Sequence, residues 1–211
     1  NNTTGSGTGS GGITVSTGAT LAGGGIIAPA AGAGNSISIP TGANLSVGGP
    51  SDTAGQILRF DLAQNNVLNL AGNLRMNLFD NLGGVTVAAE ADKLVFGSTG
   101  FGQVNLAGST LMLTTAGTLD PLTFVAGNSW RIIDWGTIVP TNKFTGLDPA
   151  VQQYITSASL PTLNGSFLWD IGQLYTQGII TVAVPEPSRM ILLVLGLLAL
   201  GFRRRRKGVR A

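Results

Sequence analysis

The 211-residue chain contains no cysteine and no histidine. Together these absences exclude disulfide stapling, Ser-His-Asp and Cys-His triads, His-ligated haem, and zinc sites built on imidazole or thiolate. Catalysis would have to run on carboxylates, lysine, tyrosine or serine alone. Charge is also scarce. Charged residues make up 10% of the chain, well under half the usual share of about 25%. None precedes Asp52. Glycine takes up much of the space, with 32 residues, 14 of them within residues 1–51. The length allows one sizeable domain, or a domain with an appendage. The chain opens on Asn1 rather than Met, which reads as a processed chain or a fragment.

The net charge of +2 conceals two opposite parts. Residues 1–184 carry five basic and nine acidic groups, a net −4, whereas residues 185–211 carry seven basic groups and only Glu186, a net +6. A polyanion-binding face needs cations spread over a folded surface. The body lacks them, so no nucleic-acid partner is expected.

The tail holds three parts in series. Val184, Pro185, Glu186 and Pro187 come first. An uncharged run over 190–202 follows, with Met190, Ile191, Leu192, Leu193, Val194, Leu195, Leu197, Leu198, Leu200 and Phe202 as its bulky members. Arg203, Arg204, Arg205, Arg206 and Lys207 close it. The prolines interrupt any strand ladder and keep the approach extended. A helix that is apolar all round must be buried in protein or in lipid. The cations behind it fit the cytoplasmic flank of a membrane span. Thirteen residues rise only about 20 Å, against a hydrocarbon core of about 30 Å. Arg189 would then snorkel outward while the bilayer thins. A core helix of this length is the competing reading, but five consecutive cations abut it and no further element follows.

Val-Pro-Glu-Pro, a hydrophobic helix and an Arg-rich end, in that order, resemble the PEP-CTERM sorting signal of exported proteins from Gram-negative, exopolysaccharide-producing bacteria. The resemblance covers about residues 184–207. It implies processing by an exosortase, a membrane-embedded protease. Residues 184–187 would be the sorting motif, 190–202 a transmembrane anchor and 203–207 the basic stop. It further implies a protein held transiently at the inner membrane, then delivered to the cell surface or beyond.

The body repeats itself. Residues 13–25 (ITVSTGATLAGGG) match residues 37–49 (ISIPTGANLSVGG) at seven of thirteen positions. Looser copies begin at Leu68 and Val104. The pattern is apolar–x–apolar, a glycine corner, then leucine. Alternation with period two indicates half-buried strands. Self-similarity at 20–30 residues points to a solenoid before any globular fold. The expected fold is therefore all-β: a parallel β-helix, or β-solenoid-like body, with an aromatic-rich C-terminal cap and a single C-terminal hydrophobic helix. The expected division is a flexible linker over 1–12, solenoid repeats over 13–140, a capping segment over 141–183 and the sorting signal over 184–211. A short helix is plausible over 148–155, with Asp148 as its cap and Pro149 in its first turn.

Trp130, Trp135, Trp169, Tyr154 and Tyr175 all fall within residues 130–182. The spaced glycines, Leu160-Pro161 and Trp169-Asp170 of this segment resemble the closing segment of autotransporter-like repeat proteins that carry PEP-CTERM tails. A solenoid's last coil needs a plug, which bulky aromatics supply. A sugar-stacking platform is the functional alternative.

Candidate chemistry is sparse. Residues 97–102 (GSTGFG) follow a strand-like segment, but another strand-like segment comes next, where a nucleotide loop needs a helix. Glu90 and Asp92 would share a strand face, as paired carboxylates of a glycosidase or a Ca²⁺ site do; solvated acids at a strand end are the simpler reading. Asp134 and Asp170 are isolated. The expectation is no catalytic residue, no metal and no cofactor. The sequence thus favours a non-enzymatic surface or matrix protein, structural or adhesive, with exosortase and exopolysaccharide as partners. The alternative is a polysaccharide-active enzyme or carbohydrate-binding protein on a β-helix scaffold.

Overall fold

The computed structural model describes residues 6–49, 52–80, 91–97, 102–117 and 119–184. Glu90, residues 98–101 and the tail beyond Val184 lie outside the described residues, and with them the expectations for 185–187, 190–202 and 203–207. The described chain is mostly β. Its only helical pieces are single 3-10 turns at Ala33–Asn35 and Pro121–Thr123.

Strands arise where apolar and small polar residues alternate, and several of the corners between them turn on a glycine or asparagine of positive φ, such as Gly18, Gly42 and Asn65. The first three are β1 (Ile13–Thr14), β2 (Thr20–Gly23) and β3 (Gly25–Ile27). The same succession recurs as β4 (Ile37–Ile39), β5 (Asn44–Val47) and β6 (Ile57–Phe60), then as β7 (Val67–Leu70), β8 (Asn73–Leu78) and β9 (Lys93–Phe96). A fourth round uses β10 (Gln103–Asn105) and β11 (Thr110–Thr115). It is completed by β13 (Ile133–Asp134), after a detour through β12 (Ser129–Arg131). Every strand of a round pairs in parallel with its counterpart in the round before. The result is three four-stranded sheets: β1-β4-β7-β10, β2-β5-β8-β11 and β3-β6-β9-β13.

Pairing follows the sequence repeat. Ile13 lies opposite Ile37 and Leu21 opposite Leu45, which is the 24-residue match read directly as hydrogen-bonded register. Later rounds are longer: Ile37 pairs with Leu68, and Val67 with Gln103. The extra residues leave the ladders between strands, so the register survives a variable period.

Alternate residues turn inward and are buried, for example Ile37, Ile39, Leu45, Leu68, Leu74 and Leu111. Like side chains stack on like along each sheet, and burying one leucine fully is worth roughly 1.5–3 kcal/mol. Aromatics form a second stack running lengthwise. Phe60 faces Phe96 at 6.1 Å, Phe96 lies parallel to Trp135 at 5.4 Å, and Trp135 faces Tyr175 at 6.4 Å.

A fourth sheet is antiparallel, in the order β12-β16-β15-β14, and adds β14 (Tyr154–Ile155), β15 (Leu168–Asp170) and β16 (Ile179–Ala183). Over residues 148–155 only one turn forms: Asp148 O accepts from the backbone N–H of Val151 and Gln152, and Asp148 Oδ1 accepts from Ala150 N at 2.9 Å. Pairing of Tyr154 and Ile155 with Asp170 and Trp169 claims the rest of the segment for a strand.

Candidate functional site

The outward faces of the first two parallel sheets carry amides and hydroxyls in register. On the second sheet Thr20, Asn44, Asn73 and Thr110 lie side by side. Asn44 Nδ2 donates to Thr20 Oγ1 at 3.3 Å, and Asn73 Nδ2 donates to Asn44 Oδ1 at 3.0 Å. Arg75 Nε donates to the same oxygen at 3.0 Å. Two residues along, Thr114 Oγ1 donates to Asn77 Oδ1 at 2.7 Å. On the first sheet Ser38, Asn69 and Asn105 are in register. Asn105 Nδ2 donates to Asn69 Oδ1 at 3.3 Å, and Asn142 Nδ2 to Asn105 Oδ1 at 3.0 Å. Amides and hydroxyls both donate and accept. The same chemistry matches neutral polar partners such as sugar hydroxyls.

The acids do not assemble. Asp92 is fully buried, not solvated as expected from its place at a strand end. Its Oδ1 accepts from Gln56 N at 2.9 Å and its Oδ2 from Asn77 N at 2.8 Å, so it joins the second and third sheets. Burial pushes its carboxyl above the ordinary range; the two backbone donors pull the other way and Asp52 adds a small push upward. Asp134 pairs with Arg131 at 2.9 Å and accepts from Gly136 N. Asp170 accepts from Gln153 Nε2 and Gly172 N. None of the three shares a hydrogen-bond partner with another. Among the described residues no group of three or more acids could hold a metal ion.

A cleft of 490 Å³ is lined by Asp52, Asp80 and Asp120 beside Phe79 and Leu119. Two of these acids already serve backbone turns. Asp52 Oδ2 accepts from Gly49 N at 2.6 Å, and Asp120 Oδ1 from Leu122 N at 2.9 Å. Residues 97 and 102 lie between β9 and β10, so a strand follows the glycine-rich segment, as its sequence indicates.

No tryptophan face is open to a sugar. Trp130, Trp135 and Trp169 are at most 4% exposed, and their indole N–H groups donate to Asp80 O, Leu174 O and Pro161 O. Tyr175 is buried too: its hydroxyl donates to Leu147 O at 2.8 Å and accepts from Phe144 N at 2.9 Å. Burial pushes that hydroxyl well above the ordinary tyrosine range, so it stays protonated. Lys143 Nζ sits 4.0 Å from the ring centroid.

The chain leaves the fourth sheet at Ala183, the end of β16, and Val184 is half exposed. Residues 183–206 match the PEP-CTERM protein-sorting motif. The PEP-CTERM motif supports an exported protein that an exosortase sorts. It begins on the last residue of a central strand, so its first residue is held by the folded body. Among the described residues no helix is long and apolar enough to cross a membrane. No curated protein and no solved structure matches the chain.

Sequence reading located the sorting motif but missed the buried role of Asp92. The partners of this carboxylate are the backbone of residues 56 and 77, and nothing in the local pattern announces them. Asn66 was half legible. The sequence of Gln64-Asn65-Asn66 reads as a turn, with an internal amide ladder as the alternative, and Asn65 does adopt a positive φ of 65°. Asn66, however, is fully buried, accepting from Ala63 N and donating to Ala30 O and Gly32 O.

Proposed function

We propose that this is an exported, exosortase-sorted surface or matrix protein whose body is a non-catalytic spacer and adhesive. The three rotating parallel sheets are read as the coils of a parallel β-helix with autotransporter-like repeats. Residues 141–183 are read as its cap. Residues 184–187 act as the sorting motif, 190–202 as a transient inner-membrane anchor and 203–207 as the basic stop, before delivery to the cell surface or the extracellular matrix.

The observation that carries this reading is the PEP-CTERM match at 183–206. The body supports it by what it offers: amide and hydroxyl ladders on two long faces and acids tied up in turns. Such faces suit exopolysaccharide, a neutral or weakly charged polymer bound through many weak hydrogen bonds.

Deleting residues 184–211 tests the sorting role. Surface-exposed protein, measured by protease shaving of intact cells, is expected to be lost. Unchanged surface exposure overturns the proposal. Adhesion is tested separately by retention on immobilised exopolysaccharide from the producing cells. Converting Asn69 and Asn105 together to alanine is expected to reduce retention several-fold while the far-ultraviolet spectrum is unchanged.

A further inference from the structure

We propose that the outward face of the second parallel sheet binds the carboxylate groups of an acidic polysaccharide, and that Arg75 is the residue that holds them. The inference rests on reading the outer faces as polysaccharide-binding, and it narrows the class of polymer.

The strands of the first sheet contain no charged residue, and those of the second contain one, Arg75. It lies exposed on the central strand β8, between Ser46 on β5 and Met112 on β11. The body holds nine acids for five bases, so acid partners are in excess. Arg59 takes Asp61 and Arg131 takes Asp134, while Lys143 rests on the ring of Tyr175. Arg75 makes no ion pair among the described residues.

An amide stands where an acid would. Asn44 Oδ1 accepts from Arg75 Nε and from Asn73 Nδ2, both at 3.0 Å. Asn44 Nδ2 donates to Thr20 Oγ1 at 3.3 Å, which turns the amide oxygen toward the guanidinium. A neutral acceptor fixes the guanidinium without cancelling its charge. With Nε taken, Nη1 and Nη2 remain as a planar pair of donors, and such a fork matches the two oxygens of a carboxylate. Ser46 and Asn73 flank it with a hydroxyl and an amide oxygen, groups that pair with the ring hydroxyls of a sugar.

The acids of this sheet lie at its far margin. Asp52, Asp80 and Asp120 follow β5, β8 and β11 and line one cleft. Asp80 comes five residues after Arg75, roughly 15 Å along an extended strand and beyond a Debye length of about 8 Å. These acids leave the charge of Arg75 uncancelled but repel a polyanion from the strand ends. The polymer therefore lies across the strands, along the rows of amides. Asp92 bonds to Asn77 N on the same strand, but it is fully buried and both its oxygens accept from backbone N–H groups.

The test is retention of the full chain, in micelles of a non-ionic detergent, on immobilised polygalacturonate and on the same polymer with its carboxylates methyl-esterified. The basic tail is common to every variant, so differences between variants are read. Arg75→Gln is expected to lower retention on polygalacturonate about threefold and to match the wild type on the ester. Lys93→Gln removes the same charge from the third sheet and is expected to behave as the wild type on both. Wild-type retention of Arg75→Gln on polygalacturonate overturns the proposal. So does an equal loss for Lys93→Gln, which would mean attraction by charge without a site. The reading beneath it fails differently: a wild type that the ester retains no better than bare matrix overturns both.

Discussion

Two corner glycines that look alike in the repeat do different work. Gly18 has a φ of 81° and open space where a Cβ would point. Gly72 needs no positive φ, but its Cβ would strike Ala43 O and come within 2.7 Å of Pro40 O. One position needs a left-handed backbone and the other needs no side chain at all. Gly18→Ala is expected to cost about 1 kcal/mol and Gly72→Ala about 2–3 kcal/mol, from urea midpoints. Asparagine, which tolerates the left-handed region, should recover most of the loss at 18 and none at 72. Asp92 sets a different residue-scale expectation. Its folded carboxyl titrates above the ordinary range, so the folded chain keeps a proton that the unfolded chain has released. Its contribution is fully present below the ordinary carboxylate range and is lost as pH rises through the raised value. Subtracting the stability of Asp92→Asn from that of the wild type across about pH 4–7 should give a difference that falls with rising pH. A flat difference would mean that the buried carboxylate titrates normally.

Among the elements, the lengthwise aromatic stack ties separate rounds to the fourth sheet. Trp135 lies between Phe96 and Tyr175, with its indole N–H on Leu174 O. Trp135→Ala should cost about 3–5 kcal/mol. Tyr175→Phe keeps the ring but leaves Phe144 N and Leu147 O without their shared hydroxyl, at about 1–3 kcal/mol. Either thermal or denaturant melts read this, and equal losses for the two would show that the Trp135 indole contributes no more than the Tyr175 hydroxyl. Strand content and register were legible because alternation and the 24-residue repeat are local and repeated. The path between sheets was not. Only Ile132 separates β12 from β13, yet the two strands belong to an antiparallel and a parallel sheet. A single apolar residue carries no mark of that switch. The short helix expected over 148–155 lost to pairing with β15, which no local signal of Asp148 or Pro149 reports. The amide ladders were legible only as composition, since Asn44 and Asn73 meet through register rather than through proximity in the chain.

The whole molecule divides cleanly by charge, a body of −4 and a tail of +6. The last described strand ends at Ala183, one residue before Val184. Removing 184–211 should therefore leave the thermal midpoint of the body within about 2 °C of the full chain, because no described ladder loses a member. Removing 179–211 takes β16 as well and should abolish cooperative melting of the fourth sheet, followed by near-ultraviolet dichroism of its tryptophans. If both truncations melt alike, the antiparallel sheet is an ornament rather than a closure.

Among the described residues β16 is both the last strand in the chain and the one that sits between β12 and β15. A nascent polypeptide arrives amino end first. Until residues 179–183 have arrived, two flanks wait without their shared neighbour, while the earlier rounds are free to zip up in order. The strand that closes the fourth sheet is thus the one whose last residue opens the sorting motif, so the body is complete only when the chain has been laid down as far as that motif.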